Sequence, residues 1–342
     1  MSKARGIGLL SGGLDSAIAC LLVREAGAEV ECVHFFTGFC VTGHNSRVGR
    51  RDRPVANSAL QVAAEIGVPV ELIDVADDYL PVVLKPRHGY GKFMNPCLDC
   101  RTFMLARAKQ YMIDVGADFV FTGEVIGQRP KSQLKKYLNA AEREVGLEGR
   151  LLRPLSARLM PPTIVEDEGL VDRECFLDIH GRGRKRQIAI AKAHGLERYM
   201  SPAGGCCFLT DKSYSRKLLD AIVHDGTEDM TPEDVFVLGV GRHFRLNRKA
   251  KLIVGRDEVE NNFLKYYERD HWFASALGFA GPTAIVVGEP GENEFGTIGA
   301  LVARYCDGRG ESEVSVRLKK GPREIVITVP PAQDSLLAEL RV

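Results

Sequence analysis

Over the first 160 residues the apolar positions follow two alternating rhythms. Short apolar runs at Ile7, Leu9 and Leu10, then at 28–36, 68–73, 118–121 and 150–155, read as strands. Between them, apolar residues spaced three and four apart read as helices. The first carries Ala17, Ile18, Cys20, Leu21 and Leu22. The second runs from Pro54 to about Ile66. The third covers about 101–115 with Phe103, Met104, Ala106, Ala108 and Met112, and a charged one runs from Lys131 to Glu144. Residues 37–53 read as a loop. This alternation predicts an α/β fold built on a doubly wound parallel sheet. The rhythm changes over 160–230, where Arg182-Gly183-Arg184-Lys185-Arg186 opens a helix with Ile188, Ile190 and Ala191, and a further helix covers 214–225. From about 231, strands at 251–254, 283–287, 313–318 and 324–329 interleave with helical patterns at 257–267 and 296–306, which predicts a small α+β domain. The expected division is 1–159, 160–230 and 231–342.

Composition narrows the reading. The chain has 342 residues, 45% of them hydrophobic, enough for two or three cores. A net charge of +1 does not announce a nucleic-acid partner, so any such surface must come from local segregation of charge. No apolar run reaches membrane-spanning length, and Met1-Ser2-Lys3-Ala4-Arg5 lacks a signal-peptide core, so the expected location is cytoplasmic, with no membrane partner. Nine cysteines in such a chain do not make a disulfide framework.

The first chemical signal is Gly8-Leu9-Leu10-Ser11-Gly12-Gly13-Leu14-Asp15-Ser16, where a strand turns directly into a helix. Glycines let backbone N–H groups turn inward, and the helix N-terminus adds unpaired donors and a positive dipole end. With the Ser11 and Ser16 hydroxyls this makes an anion cradle. No lysine closes it, so it is not the G-x-x-x-x-G-K-[ST] loop. The plainer alternative is a strand–turn–helix corner. His34 and Phe35, at the end of the second strand, should face the same crevice. Arg47, Arg50, Arg51 and Arg53 in the 37–53 loop suit either a solvated loop or a contact to RNA or substrate.

The second signal is cysteine. Asn95-Pro96-Cys97-Leu98-Asp99-Cys100 sets two thiols at the start of a helix, delivered by the basic loop Lys85 to Lys92. Gly204-Gly205-Cys206-Cys207 adds two more in a glycine-rich turn. Three thiolates from two segments suit a cluster with one iron left open, or the open side of a zinc site; a redox pair or ordinary thiols remain alternatives. Cys20, Cys32, Cys175 and Cys306 read as packing, and Cys40, in a loop near the crevice, stays unassigned.

Ser11-Gly12-Gly13-Leu14-Asp15-Ser16 resembles the pyrophosphate-binding loop of the PP-loop ATPases, which split ATP into AMP and pyrophosphate. The order of that loop, Asn-Pro-Cys-x-x-Cys, Thr122-Gly123-Glu124 and Gly-Cys-Cys-Phe is similar to that of the tRNA 2-thiouridine and 4-thiouridine synthetases of this superfamily, over roughly residues 5–211. Cysteine at position 97, where the best-known 2-thiouridine enzyme has aspartate, resembles the branch that depends on a [4Fe–4S] cluster. The resemblance implies a HUP-like fold, ATP and Mg²⁺, and nucleotide contacts from Leu10, Ser11, Gly12, Gly13, Asp15, Ser16, His34, Phe35 and Gly123. It also implies catalytic roles for Asp15, Cys97, Cys100 and Cys207. The cluster would sit on Cys97, Cys100 and either Cys206 or Cys207, the latter matching the spacing back from Phe208. Residues 235–335 resemble the NFACT-type RNA-binding domain through Gly241-Arg242-His243-Phe244-Arg245 and Lys251 to Asn261. Arg242, His243, Arg245, Lys251 and Arg256, with Arg182, Arg184, Lys185 and Arg186, are the expected RNA contacts, Phe244 offering an aromatic platform. The implied partners are tRNA, an external sulfur donor (sulfide or a persulfide carrier protein) and, as an option, a second copy of the chain. The rival readings are a PP-loop ligase or amidotransferase acting on a small carboxylate, and a non-catalytic RNA-binding protein.

Overall fold

The glycines of the first strand set how the first sheet packs. In β1 (Arg5–Leu9), a Cβ on Gly6 would lie 2.5 Å from the Phe119 ring, and one on Gly8 would collide with the Phe121 ring. The two bare positions let the aromatic side chains of β4 (Phe119–Thr122) lie across the neighbouring strand. With β2 (Glu29–Phe36), β3 (Val70–Asp74) and β5 (Leu151–Leu152), these strands form a parallel sheet in the order β3-β2-β1-β4-β5. The expected doubly wound topology is present, with the order reversing at β1, where open α/β sheets bind ligands. The structure, a computed structural model, describes residues 3–49, 57–130, 132–199 and 207–342.

The connecting helices are α1 (Leu14–Glu25), α2 (Val41–Val48), α3 (Ser58–Ile66), α4 (Ala76–Leu84), α5 (Cys97–Asp114) and α6 (Lys135–Val145). They are followed by α7 (Ile164–Asp167) and α8 (Lys185–Ala193). One face of the sheet buries Phe119 and Phe121 with Ile18 and Leu22 of α1; the other buries Ile7, Val33 and Val120 with Leu105 and Ala108 of α5. Val165, Phe176, Ile179 and Ala191 belong to the same core as α1. The region set apart in the sequence as 160–230 therefore has no core of its own. The chain divides into Met1–Gly43 with Pro54–Thr210, and His44–Arg53 with Asp211–Val342.

Two further corrections concern the first unit. Residues 41–48, read as loop, form α2, and Gly43 lets that helix lie against the Phe36 ring, 2.6 Å from where its Cβ would stand. The pattern missed α4 altogether, because Pro81 sits inside it. Arg50, Arg51, Arg53 and the expected helix start at Pro54 lie outside the described residues, as do Lys131 and Cys206.

The second unit contains α9 (Lys212–Asp225), α10 (Pro232–Val237), β6 (Arg242–Asn247), β7 (Ala250–Val254), α11 (Glu258–Leu264), β8 (Trp272–Ala276), β9 (Ala284–Gly288), α12 (Glu294–Arg304), β10 (Val314–Lys320), β11 (Arg323–Val329) and α13 (Asp334–Leu340). The strands form one antiparallel sheet in the order β11-β10-β8-β9-β7-β6. β6 and β8 were not read from the sequence; β6 alternates charged and apolar residues and looks like an exposed basic run.

That run is largely internal. Phe244 is fully buried, His243 is 1% exposed and Lys251 is 3% exposed. Arg245 pairs with Asp220 and with Asp225, and Arg256 pairs with the buried Glu260. Burial, then the nearby Lys217 and Lys251, pushes the His243 pKa well down, so its ring is neutral. These residues were expected to face RNA. His243, Lys251 and Phe244 cannot, because they are inside, and Arg245 and Arg256 are committed to carboxylates.

Lys217 of α9 is the extreme case. Its Nζ donates to the Leu238 and Gly241 carbonyls, each at 3.0 Å. Burial first, then Arg256, pushes its pKa down to about 7. An unfolded lysine titrates near 10.4, so between these values the unfolded chain holds a proton that the folded chain has released. Stability should therefore rise with pH across this window, by about 1.4 kcal/mol per unit from this group. Trp272, the single tryptophan, is buried in this unit and reports its unfolding. Urea titrations followed by its fluorescence should show stability rising from pH 7 to 9, and Lys217→Met should flatten the rise. An unchanged slope in the variant would remove Lys217 as the cause.

Candidate active site

The glycine loop leaves β1 through Leu10, whose N–H donates to Val33 O at 3.0 Å. Gly12 has a φ of +76°, and a Cβ there would come within 2.6 Å of the Ser58 backbone at the start of α3. Both conformation and space therefore require glycine. Gly13 caps α1 without a side-chain hydrogen bond, so the first-turn N–H groups have no side-chain cap and suit an anion. Ser16 behaves differently from expectation. Its hydroxyl donates to Gly13 O at 2.9 Å and accepts from Ser11 N at 3.3 Å, so it ties the loop together. The exposed Ser11 hydroxyl is 3.2 Å from it.

His34 and Phe35 lie on opposite sides of β2. The His34 Nδ1 is 2.8 Å from Leu10 O, and burial pushes its pKa down. A neutral imidazole thus braces the loop from the neighbouring strand. Phe35 is a core residue, packed with Ile7, Val33 and Leu105, so its ring does not open onto the crevice it was expected to face. Gly123 also has a different reason to be glycine. A Cβ there would stand 2.5 Å from the carbonyl carbon of Asp15, so protein backbone fills the space assigned to ligand.

Asp15, in the first turn of α1, faces Arg184 of the basic stretch at 3.6 Å. Burial raises its pKa, and Arg184, Gln128, Gln187 and Arg129 oppose the rise. Its Oδ1 is buried without a hydrogen-bond partner. Arg184, expected on RNA, therefore points into the protein. Arg182, Lys185 and Arg186 are exposed, and Arg186 pairs with Asp178 at 2.7 Å.

The cysteines gather beside α4 and α5. Cys97 opens α5, and Cys100 follows one turn later, its N–H donating to Pro96 O at 2.8 Å. The basic loop folds over them, with Gly91 close enough that a Cβ would be 3.1 Å from Cys97 Sγ. Asp99 holds that loop down by accepting from the Arg87 and His88 N–H groups, at 3.2 and 3.1 Å. Tyr79, 2% exposed, shares a hydrogen bond with the Cys100 thiol and feels Cys207 and Cys40 as well. Cys40 and Cys207 face each other across an antiparallel bridge, secured by Phe208 N–H to Phe39 O at 3.0 Å. The structure thus brings together Cys97, Cys100, Cys207 and Cys40. Burial pushes the Cys100 thiol up, with Arg101 the weakest of the opposing influences. That arginine is spent on Glu124, at 2.5 Å.

Glu124 was noticed only as part of Thr-Gly-Glu, and its role is to sit between two arginines. Besides Arg101 it pairs with Arg153 at 3.2 Å, and Arg153 reaches Glu142 at 2.7 Å. A chain of contacts follows. Cys100 is next to Arg101, Arg101 holds Glu124, and Gly123 rests on the backbone of the phosphate loop. Tyr79, Asp99 and Cys40 were missed as site residues. For the last, a thiol four residues beyond the end of the second strand was the available signal.

Residues 5–145 match the family model described as the tRNA methyl transferase HUP domain, and residues 241–341 match the NFACT protein RNA binding domain. Among curated relatives, the tRNA-specific 2-thiouridylase MnmA of Sulfurimonas denitrificans is 32% identical over 130 residues, covering 37% of this chain and 36% of that protein. The MnmA of Salinibacter ruber is 25% identical over 248 residues, 70% of this chain and 61% of its own length. The chain therefore spans between about a third and three-fifths of these relatives. A solved 4-thiouridine synthetase–RNA complex with bound ATP is 21% identical, with a TM-score of 0.40, over 68% of this chain and 53% of that one. The chain joins a PP-loop domain of the HUP type, similar to that of the tRNA thiouridylases, to an RNA-binding domain of the NFACT type.

Proposed function

We propose that this protein is an ATP-dependent tRNA uridine sulfurtransferase. The observation that carries the reading is the short chain of contacts from the phosphate loop, through Gly123, Glu124 and Arg101, to the cysteine group. Thiolation needs these two chemistries side by side. A uracil carbonyl oxygen is a poor leaving group until it is joined to the α-phosphate of ATP; sulfur can then displace AMP from the same carbon. In this reading the phosphates lie on the N–H groups of Ser11, Gly12 and Gly13 and on the α1 N-terminus. Asp15, whose Oδ1 is buried without a hydrogen-bond partner, would hold Mg²⁺, which would offset the charge of the phosphates.

The donor set beside Tyr79 consists of thiols alone, which suits a thiophilic metal. A single zinc needs sulfurs about 3.8 Å apart, given Zn–S bonds of about 2.3 Å. Among the described residues no group of three His, Cys, Asp or Glu side chains is placed to hold a metal ion. A [4Fe–4S] cluster takes each thiolate on a different iron, so its ligands stand further apart, and Cys97, Cys100 and Cys207 would hold it. When bound it supplies an iron without a cysteine, open to the incoming sulfur. Tyr79 then orients Cys100, and Asp99 keeps the basic loop over Cys97. The opposition of Cys40 and Cys207 favours a second route, in which sulfur arrives as a persulfide on Cys207. In both routes the donor is a separate sulfide source or persulfide carrier.

For tRNA, the exposed Arg182 and Lys185, with Lys85 and Lys92 of the basic loop, are the phosphate contacts on the first unit. On the second unit the exposed Arg248 and Lys249, in the β6–β7 turn, replace the buried residues first considered.

The direct test supplies purified protein with tRNA, Mg-ATP and sulfide under anaerobic conditions. Thiouridine and pyrophosphate should appear in equal amounts, and pyrophosphate release should require tRNA. Release driven by a small carboxylate without tRNA would favour the ligase instead. Iron analysis of anaerobically purified protein should find about four irons per chain in the wild type. Cys97→Ser, Cys100→Ser and Cys207→Ser should each lower that content, and iron-free active protein would leave only the persulfide route. Replacing Arg182, Lys185 and Arg186 together by alanine should weaken tRNA binding and reduce the salt slope of log K by about 2–3. An unchanged slope would take this stretch off the RNA.

A further inference from the structure

The antiparallel sheet of the second unit has two edges, and the chain treats them differently. At β6 the edge is closed: Phe244 bridges Arg341, and the Val342 N–H donates to His243 O at 3.1 Å. At β11 it is open, and among the described residues no strand lies beyond it. Edge strands are usually guarded by shortness, lysine, proline or a bulge. The edges of the parallel sheet follow that rule: β5 has two residues, and β3 has five with Glu71 and Asp74 among them. β11 does not. It has seven residues without lysine or proline, and it pairs with β10 in an unbroken register. Val326, at its middle, is 54% exposed. Its charges stand at the start, where Arg323 is tied down, 3.3 Å from Glu292 and 5.3 Å from the centre of the Trp272 ring.

The hairpin decides which main-chain groups face outward. Gly321, with a φ of +56°, and Pro322 form a two-residue turn between the paired Lys320 and Arg323. The pair flanking such a turn is hydrogen-bonded, and bonded and non-bonded pairs then alternate along the ladder. Ser315 O accordingly turns away from β11 and accepts from Leu277 N–H at 2.8 Å. The N–H and C=O groups of Glu324, Val326 and Thr328 therefore point to the open edge.

We infer that β11 is a dimerisation edge, on which β11 of a second copy of this chain docks antiparallel with Val326 on the twofold axis. In this register Val326 meets the partner's Val326, Glu324 meets the partner's Thr328, and Thr328 meets the partner's Glu324. Each of these opposed pairs exchanges two main-chain hydrogen bonds. On the other face Ile325 lies against the partner's Ile327. Pro322 and Pro330 flank the strand, and a slip of two residues either way sets one of them against an outward-facing residue. Proline has no N–H, so a slipped register forfeits a pair. No like charges stand directly opposite. Arg317, beside Val326 on β10, is three strand spacings from its symmetry mate, about 14 Å, beyond the screening length of about 8 Å. The dimer carries two RNA-binding units on one continuous sheet.

The test uses the full-length chain in reducing buffer. Sedimentation velocity over a concentration series should show monomer passing to dimer. Val326→Pro removes an N–H that β10 does not use. It should stay monomeric where the wild type is mostly dimer, with unchanged Trp272 emission and thermal midpoint. Val326→Lys, which sets two ammonium groups against each other, should do the same, so the result does not depend on the folding of the proline variant. Hydrogen exchange should find the Glu324, Val326 and Thr328 amides protected in the wild type and fast in the lysine variant. Val326→Cys, oxidised with diamide, should give a dimer linked at position 326 by peptide mass spectrometry, because bonded opposed residues stand about 5.5 Å apart at Cα, within disulfide reach. A monomer at every concentration would overturn the inference, as would a dimer that both monomer-directed variants leave intact, or links at other cysteines alone. Protection of the three amides in a monomer would also overturn it, since another segment of this chain would then cover the edge. None of these readouts uses ATP, tRNA or thiouridine, so failure here is distinguishable from failure of the proposed function.

Discussion

The first unit depends on one carboxylate held between two guanidinium groups. Glu124 follows β4 and faces Arg101 from α5 and Arg153 from beyond β5; the Arg153 side chain is buried and that of Arg101 nearly so. Removing one partner from a buried pair leaves an uncompensated charge and costs about 3–5 kcal/mol. Domains of this kind have about 5–15 kcal/mol in total. The contact is therefore comparable to the margin that keeps the fold together. It also has a direction. Its neighbour Gly123 lies flat on the Asp15 backbone, and its partner Arg101 follows Cys100 in sequence. A shift at Glu124 would move the glycine loop and the cysteine helix together, and the proposed thiolation, with two stages on one carbon, would need those two kept in step.

The sequence made some of this plain and concealed the rest, for physical reasons. The parallel sheet was legible because buried strands are near-continuous apolar runs. The glycine loop was legible because only glycine tolerates the φ of Gly12 and its approach to Ser58. Cys97 and Cys100 were legible because a helix sets residues three apart on one face. What was hidden needs a partner distant in the chain. Nothing in the order of residues says that Asp99 caps the loop twelve residues before it, or that Cys40 meets Cys207. Helix α4 was hidden because Pro81 normally reads as a stop.

Charge was the most misleading signal. Arg245 and Lys251 look like a phosphate-binding hairpin when written in one dimension. In space, Asp220 and Asp225 of α9 reach both of them, and Glu260 takes Arg256. An aspartate twenty-five residues away can cancel a basic run completely. The same holds for Arg184, whose neighbours Arg182 and Lys185 stay exposed while it turns toward Asp15. A basic stretch is thus a mixture of inward and outward groups, and only the outward ones can release counterions from RNA.

The inward turn of Arg184 also bears on how the phosphate loop behaves. Asp15 carries a negative charge at a helix N-terminus that is otherwise suited to an anion, so it opposes the triphosphate unless that charge is neutralised. Burial alone favours the protonated acid, while Arg184 favours the ionised one. A divalent cation would do so more strongly, since it brings twice the charge to an oxygen that lacks a hydrogen-bond partner. The loop is therefore unbalanced for bare phosphate and balanced for phosphate that arrives with its metal. On the proposed function, that electrostatic arrangement would favour ATP that arrives with Mg²⁺ over free ATP.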